Sequence, residues 1–373
     1  MNRKLNVVIL TRIVPIWRKE LFEKLQSKSN QFKIEVYFLH SKNAKTIGEH
    51  QGINLSSINV THLKLRRIFK FEYLKKTNRN LKNIKPKVVV VEASPRFLST
   101  YSVFFYKLFR RNIQVVGWSS MYYSTNSLLS ILMRKLFHNL FDYFIVYHDK
   151  AYRTLRLSYN YRKNIYVVGN SPGDEYIKNE IEKIDSTQIF DIVKKYKAQS
   201  KLLALFVGKL TRSKRVDLII EAASHPIAVD YHFIVIGDGP LKDSLVKQNA
   251  IQNHNKNVHF IDGFYEGINA YFQASDVFIM PGTGGMALIQ ALFNGLPIIG
   301  GEADGIGESL IKTDYNGFFN HKFTSDFLLD SLDSLRDVNL LQQMSENSLK
   351  ESEKYSTRII SEKILGIIKD ESN

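Results

Sequence analysis

Four consecutive valines, Val88–Val91, constrain the fold more than any other feature of the chain. A strand with one wet face alternates apolar and polar side chains. An unbroken β-branched run instead fits a strand buried on both faces, as in a parallel sheet covered by helices. Similar runs occupy Asn6–Thr11, Phe32–Leu39, Gln114–Trp118, Tyr143–Tyr147 and Ile165–Val168, with helical patterns between them at Arg18–Gln26, Glu72–Asn83 and Leu128–Phe141. Each strand–helix–strand step closes a right-handed βαβ unit, so the first half is predicted to be a doubly wound α/β domain.

The rhythm breaks at Asn170-Ser-Pro-Gly173, and polar, charged sequence follows to Gln199, as in a linker. A second series then runs through strands at Leu202–Val207, Tyr231–Ile236, Val258–Phe260, Val277–Met280 and Pro297–Ile299. Its helices are expected at Val216–Ala223, Leu241–Gln248, Ile268–Phe272 and Met286–Phe293. The 373 residues, too many for one ordinary core, therefore divide into an N-terminal domain 1–175, an interdomain segment 176–200, a C-terminal domain 201–350 and a C-terminal helical stretch 351–373 expected to pack back on the first domain. The fold class is α/β: two Rossmann-like, doubly wound parallel-sheet domains facing a central cleft, with ligands at the carboxyl ends of the strands.

Charge separates the two halves. Residues 1–170 hold 31 Lys and Arg against 8 Asp and Glu, a net +23, whereas residues 171–373 hold 21 against 28, a net −7. Such polarity suits a first half that meets something anionic: a membrane surface, a lipid pyrophosphate or nucleic acid. A merely basic surface is the plainer alternative. Cysteine is absent, which excludes disulfides, thiol nucleophiles and cysteine-ligated zinc. The opening apolar run is short and fits a buried strand rather than a signal peptide, and no stretch is long and apolar enough to span a bilayer. The expected location is cytoplasmic, peripheral on the inner face of the cell membrane.

Three segments of the second half end strands with chemistry. The first, Phe206-Val-Gly-Lys-Leu-Thr-Arg-Ser-Lys214-Arg215, follows a strand with Gly208 and a loop carrying Lys209, Arg212, Lys214 and Arg215. Cations beside a helix start make an anion site suited to a pyrophosphate; a solvated basic loop is the other reading. The second, Val235-Ile-Gly-Asp-Gly-Pro240, puts Gly237 and Gly239 past a strand, where backbone turns tightly or approaches a ligand. Gly263 is grouped with them. No third glycine completes a dinucleotide fingerprint. The third, Asp276-Val-Phe-Ile-Met-Pro281-Gly-Thr-Gly-Gly-Met-Ala287, passes from strand through a glycine loop into a helix. Amides of Gly284, Gly285, Met286 and Ala287 would point at an anion there, aided by the helix dipole. Gln290, one turn further, reaches toward a ribose hydroxyl. Close helix–sheet packing is the competing role for these glycines.

In order and spacing, these three segments resemble a family-four retaining glycosyltransferase of the two-domain GT-B type over roughly Leu202–Phe319. The opening Thr11-Arg-Ile-Val-Pro-Ile-Trp-Arg18 resembles a Pro-aromatic-Arg start found in a subset of such enzymes. The resemblance implies that Lys209 and Lys214 neutralise the donor pyrophosphate. It also implies that Gly282, Thr283 and the amides to Ala287 meet the distal phosphate and sugar, and that Glu308 of Gly305-Ile-Gly-Glu308 lies near the donor. Nucleotide-sugar enters as substrate; no cofactor or metal is expected. The family often carries a Glu, seven residues, then another Glu, where this chain has Gly282 and Gln290. An amide oxygen still accepts from a ribose hydroxyl, more weakly than a carboxylate, but glycine cannot touch a sugar hydroxyl with a side chain.

The first half adds acceptor-side candidates at strand ends. Glu92 is placed to orient or deprotonate an acceptor hydroxyl, with pairing to Arg96 as its plain structural role. Arg12, Pro15 and Arg18 lie in the first loop, Ser94 follows Glu92, and His148–Asp149 reads as a surface pair. Lys64–Lys76, Tyr101–Arg111 and Leu128–Phe141 mix cations with aromatic and aliphatic side chains, as membrane-surface segments do.

The function expected is transfer of a sugar from a UDP- or GDP-linked donor to a glycan or lipid-linked acceptor, with retention, in cell-surface polysaccharide or lipopolysaccharide synthesis. A sugar-nucleotide epimerase of the same layout, a catalytically silent subunit and a basic nucleic-acid-binding protein are the alternatives. No nucleic-acid module is visible, so nucleic acid is not expected as a partner. The sequence leaves the oligomeric state open.

Overall fold

The computed structural model describes residues 4–12, 14, 16–41, 58–110, 112–121, 127–196, 202–263, 267–302 and 305–372. Pro15, Arg111 and residues 197–200 of the expected interdomain segment lie outside them. The chain forms two compact units, residues 1–173 with 356–373, and residues 174–355.

The first unit runs β1 (Leu5–Leu10), α1 (Ile16–Ser29), β2 (Ile34–His40), β3 (Val60–His62), β4 (Leu65–Ile68), β5 (Phe71–Leu74), α2 (Thr77–Ile84), β6 (Val88–Glu92), α3 (Ser99–Phe109), β7 (Gln114–Ser119), α4 (Leu128–Asn139), β8 (Tyr143–Val146), α5 (Asp149–Arg153) and β9 (Ile165–Val167). Seven of these strands make a parallel sheet in the order β3-β2-β1-β6-β7-β8-β9. The valine run shows why it had to be central. Val88 and Val90 enter the core on one face with Ile9, Phe22 and Phe38, while Val89 and Val91 enter the core on the other with Leu10, Phe97 and Phe144.

The second unit runs α6 (Asp174–Glu182), α7 (Ser186–Tyr196), β10 (Leu202–Val207), α8 (Asp217–Ser224), β11 (Tyr231–Ile236), α9 (Lys242–Gln252), β12 (Val258–Ile261), α10 (Ile268–Ala274), β13 (Val277–Met280), α11 (Met286–Phe293), β14 (Ile298–Gly301), α12 (Ile306–Leu310), β15 (Gly317–Asn320), α13 (Ser325–Ser334) and α14 (Val338–Ser352). Its parallel sheet has the order β12-β11-β10-β13-β14-β15. A final helix, α15 (Thr357–Glu371), returns to the first unit and packs on α1. It contributes Ile360, Ile364, Leu365 and Ile368 to that core, and Lys28 pairs with Glu362 at 2.5 Å.

Two expectations need revision. Of the stretch 176–200, the described residues 176–196 belong to the second unit: α6 and α7 pack on α10 and α11, and Ile177, Ile192 and Tyr196 are buried in the second core. The apolar residues at 177, 181, 184, 189, 192, 193 and 196 supply the burial that polar neighbours disguise. The helix expected from Glu72 begins only at Thr77, because Phe71–Leu74 pairs antiparallel with Leu65–Ile68 as a hairpin.

Candidate active site

Each sheet has one place where successive crossovers change direction, and there the loops leave to opposite faces and open a crevice. In the second unit this place lies between β10 and β13. The loop after β10 and the loop after β13 meet at it. The backbone N–H of Thr283 donates to the carbonyl oxygen of Ser213 at 2.8 Å, and the Thr283 hydroxyl donates to the same oxygen at 3.2 Å. Lys214 crosses between the loops and donates from Nζ to the carbonyl oxygens of Thr283 and Gly284. Lys209, exposed, stands on the loop that follows Gly208.

Gly282 has a definite reason to lack a side chain. A Cβ there would lie 2.0 Å from the Ser213 carbonyl oxygen and 2.8 Å from the carbonyl carbon of Lys214. The two loops are packed backbone to backbone, so the position that often carries Glu in the resembled family has no room for one here. Gly285, by contrast, has open space beside it but φ of +121°, a conformation open essentially to glycine alone. It turns the loop into α11, whose first residues, Met286 and Ala287, present the positive end of the helix dipole.

The remaining glycines serve close approach. A Cβ on Gly237 would meet the Gly208 carbonyl oxygen at 2.0 Å, and one on Gly239 would meet the Leu210 carbonyl oxygen at 2.5 Å. Gly263 lies against Gly237 and Asp238 in turn. Gln290, half-buried one turn into α11, donates its amide to Asn269 Oδ1 at 2.9 Å, which leaves Oε1 as its acceptor. Glu308 sits in the first turn of α12, behind Gly305 at φ +91°, on the connection that follows β14.

In the first unit the change of direction lies between β1 and β6, and Arg12 meets Glu92 there. Arg12 donates from Nε to Glu92 Oε2 at 3.0 Å and from Nη2 to the other oxygen, a bidentate pair; its Nη1 donates to Glu72 Oε2 at 2.9 Å. Arg67, on β4, donates to Glu72 Oε1 at 3.0 Å. The result is a chain of alternating charge, Arg67–Glu72–Arg12–Glu92. Burial opposes the charge on Arg12, but its bonds to Glu92 and Glu72 outweigh this and raise its pKa above the usual arginine value. Burial likewise opposes the charge on Glu72, and the bonds from Arg67 and Arg12 pull its carboxyl below the usual range.

Arg12 and Glu92 border a cavity of about 910 Å³ at the carboxyl ends of β1, β6, β7 and β8. In its wall the Arg18 guanidinium stacks 4.6 Å from the centre of the Trp118 ring and donates to the Tyr147 hydroxyl. Glu92 therefore pairs with Arg12, not Arg96, because Arg12 leaves the adjacent strand end. His148 is no surface residue: it is buried, and Nδ1 accepts from the Ala151 N–H at 3.1 Å to cap α5. Sequence reading missed Glu72 and Arg67. The signal was a cross-strand charge pair in a hairpin, as Arg67 stands directly opposite Glu72.

The family model described as "Glycosyl transferases group 1" matches residues 185–351, which make up most of the second unit. The whole chain has the GT-B fold. It resembles a glycosyltransferase from Rickettsia africae at TM-score 0.77 and 14% identity, with 99% of each chain covered. It also resembles HepE of Anabaena in complex with UDP at TM-score 0.74 and 14% identity, covering 98% of this chain and 100% of that one. Among curated relatives, the UDP-Gal:alpha-D-GlcNAc-diphosphoundecaprenol alpha-1,3-galactosyltransferase of Escherichia coli is 30% identical over 38% of each chain. The alpha-D-kanosaminyltransferase of Streptomyces kanamyceticus is 23% identical over 48% of each. The chain thus spans less than half the length of the curated relatives it matches.

Proposed function

We propose that the protein transfers a sugar from a nucleotide-sugar, UDP- or GDP-linked, to a glycan or lipid-linked acceptor in polysaccharide or lipopolysaccharide synthesis. The observation that carries this reading is Lys214 bridging two loops at the β10/β13 crevice, beside the first turn of α11. A cation and a helix N-terminus together suit a diphosphate. The relatives favour UDP: one is named for UDP-Gal, and HepE is recorded with UDP and with UDP-glucose.

The reaction needs no protein nucleophile or metal in this scheme. The bond between the anomeric carbon and the diphosphate oxygen breaks, and the acceptor oxygen bonds to the same face. The acceptor proton passes to the departing diphosphate, giving a glycoside with retained configuration and a nucleoside diphosphate. Lys209 and Lys214 offset charge growing on the leaving group, and positioning supplies the rest. Glu92, with both oxygens accepting from Arg12, orients an acceptor hydroxyl. Gln290 Oε1 accepts from the ribose.

The basic first half works at an anionic membrane surface, on the inner face of the cell membrane. Exposed Phe105, Leu108 and Phe109 on α3 and the exposed leucines of α4 support this contact. No helix among the described residues is long and apolar enough to cross a membrane.

The test is incubation with UDP- and GDP-sugars, with and without phosphate-linked lipid acceptors, followed by product analysis. Glycoside formed only with acceptor, with the donor's anomeric configuration, is expected. An isomerised sugar-nucleotide formed without acceptor would replace transfer with epimerisation.

A further inference from the structure

The cavity of the first unit is lined by Arg12, Arg18, Lys70, Arg96 and Arg134 against a single carboxylate, Glu92, among the described residues. Lys70 and Arg96 are exposed. A pocket of this size and charge favours an anionic group. Its wall is not polar throughout, for Leu129 and Met133 of α4 also line it.

Those two side chains are 71% and 60% exposed, and they belong to a longer stripe. Leu128, Leu129, Leu132, Met133 and Leu136 are all more than half exposed and recur at helical spacing along α4, and Leu140, half exposed, follows at its end. A helix normally buries its apolar face and wets the other; α4 leaves much of its apolar surface in water. On its packed side Phe137 meets Tyr101 at 5.4 Å and Phe104 at 6.1 Å, so the helix is anchored and the stripe is its outer surface.

We infer that this cavity and the α4 stripe together bind one anionic single-chain amphiphile, its phosphate among Lys70, Arg96 and Arg12 and its chain along α4. This rests on the transferase reading and sharpens it: the acceptor is a phosphate-linked lipid, with the hydroxyl to be glycosylated presented at Glu92. Charge selects the head and the exposed stripe covers the tail. Neither feature alone explains why cations and leucines share one cavity wall.

The test is thermal protection of the full chain by dodecyl phosphate below its micelle threshold, beside inorganic phosphate and the neutral dodecyl maltoside. Dodecyl phosphate is expected to act at a concentration at least about tenfold lower than either, since burying even part of an alkyl chain supplies that factor. Leu129→Ser with Met133→Ser should weaken dodecyl phosphate about tenfold and leave inorganic phosphate unchanged. Lys70→Gln with Arg96→Gln should weaken both phosphates. UDP-glucose should protect every variant as it protects the parent, which also reports that each is folded. Equal action by inorganic phosphate would reduce the site to an anion pocket and overturn the inference. Equal action by dodecyl maltoside, or indifference to both double variants, would also overturn it. Loss of UDP-glucose protection in the parent, with dodecyl phosphate still bound, would instead count against the transferase reading.

Discussion

Thr283 donates its backbone N–H to the carbonyl oxygen of Ser213 at 2.8 Å, and this bond ties the loop after β13 to the loop after β10. Gly282, one residue earlier, is pressed against the same carbonyl. The absence of a carboxylate at 282 is thus a packing requirement of this chain. Gly282→Ala should cost about 1–3 kcal/mol, as overpacking does, and Gly282→Glu should do at least as much damage without restoring a sugar contact. Urea denaturation of the two variants checks this; a stable Gly282→Glu protein would show that the loops separate easily.

Gln290 is fitted to an amide. It gives its NH₂ to Asn269 Oδ1, an oxygen that also accepts from Asn294 Nδ2 at 3.3 Å. Gln290→Glu would set a carboxylate against an acceptor already in use. A loss of roughly 1 kcal/mol is expected, the scale of one exchanged hydrogen bond, readable as a lowered denaturation midpoint. Unchanged or higher stability would mean that Asn269 reorients freely.

Arg12 stands between two carboxylates, Glu72 and Glu92, and removing it leaves them facing each other across the β1/β6 crevice. Breaking a fully buried pair costs several kcal/mol. Arg12 is 36% exposed, so solvent screening lowers the expected cost of Arg12→Met to roughly 1–2 kcal/mol. Adding Glu72→Gln should recover part of it. If the second substitution makes matters worse, the two charges are not coupled in the way described.

One buried and one half-buried histidine make the fold acid-sensitive. His138 donates from Nδ1 to the Arg134 carbonyl oxygen at 2.6 Å and stacks on Tyr159 at 4.8 Å; burial, chiefly, lowers its pKa to about 4. Burial, with His232 and Lys195 nearby, lowers His259 to about 4 as well. A histidine with a depressed folded pKa takes up protons more readily when unfolded. Its stabilising share is complete above about pH 6.5 and is lost as pH falls toward 4. His138 alone should account for about 3 kcal/mol of that loss. Denaturation midpoints measured from pH 7 to pH 4.5 should fall steadily; a flat profile would contradict the burial described.

Strand positions were legible because burial on both faces leaves a continuous apolar run that polar loops cannot imitate: Val88–Val91 and Leu202–Val207 sit where such runs place them. Met286–Phe293 was equally plain, bounded by Gly285 and by Asn294-Gly295. The β4–β5 hairpin was not. Its turn is Phe69-Lys70, with Phe69 at φ +51°, and no Asn-Gly or Gly-Gly pair announces it. The glycines of the donor-side loops were visible as a group, but their individual reasons were not. Gly237, Gly239 and Gly282 answer to backbone atoms far away in sequence, and Arg12 finds Glu72 across sixty positions of chain. Such contacts are made by topology and leave no local pattern.

The most direct measurement is a calorimetric titration of the full chain with UDP, the parent beside Lys214→Ala. Binding by the parent and an affinity loss of about ten- to a hundredfold in the variant are expected, the scale of a hydrogen bond to a charged group. Equal affinities in the two proteins, or no binding of UDP, GDP or their sugars by the parent, would contradict a donor site at the β10/β13 crevice.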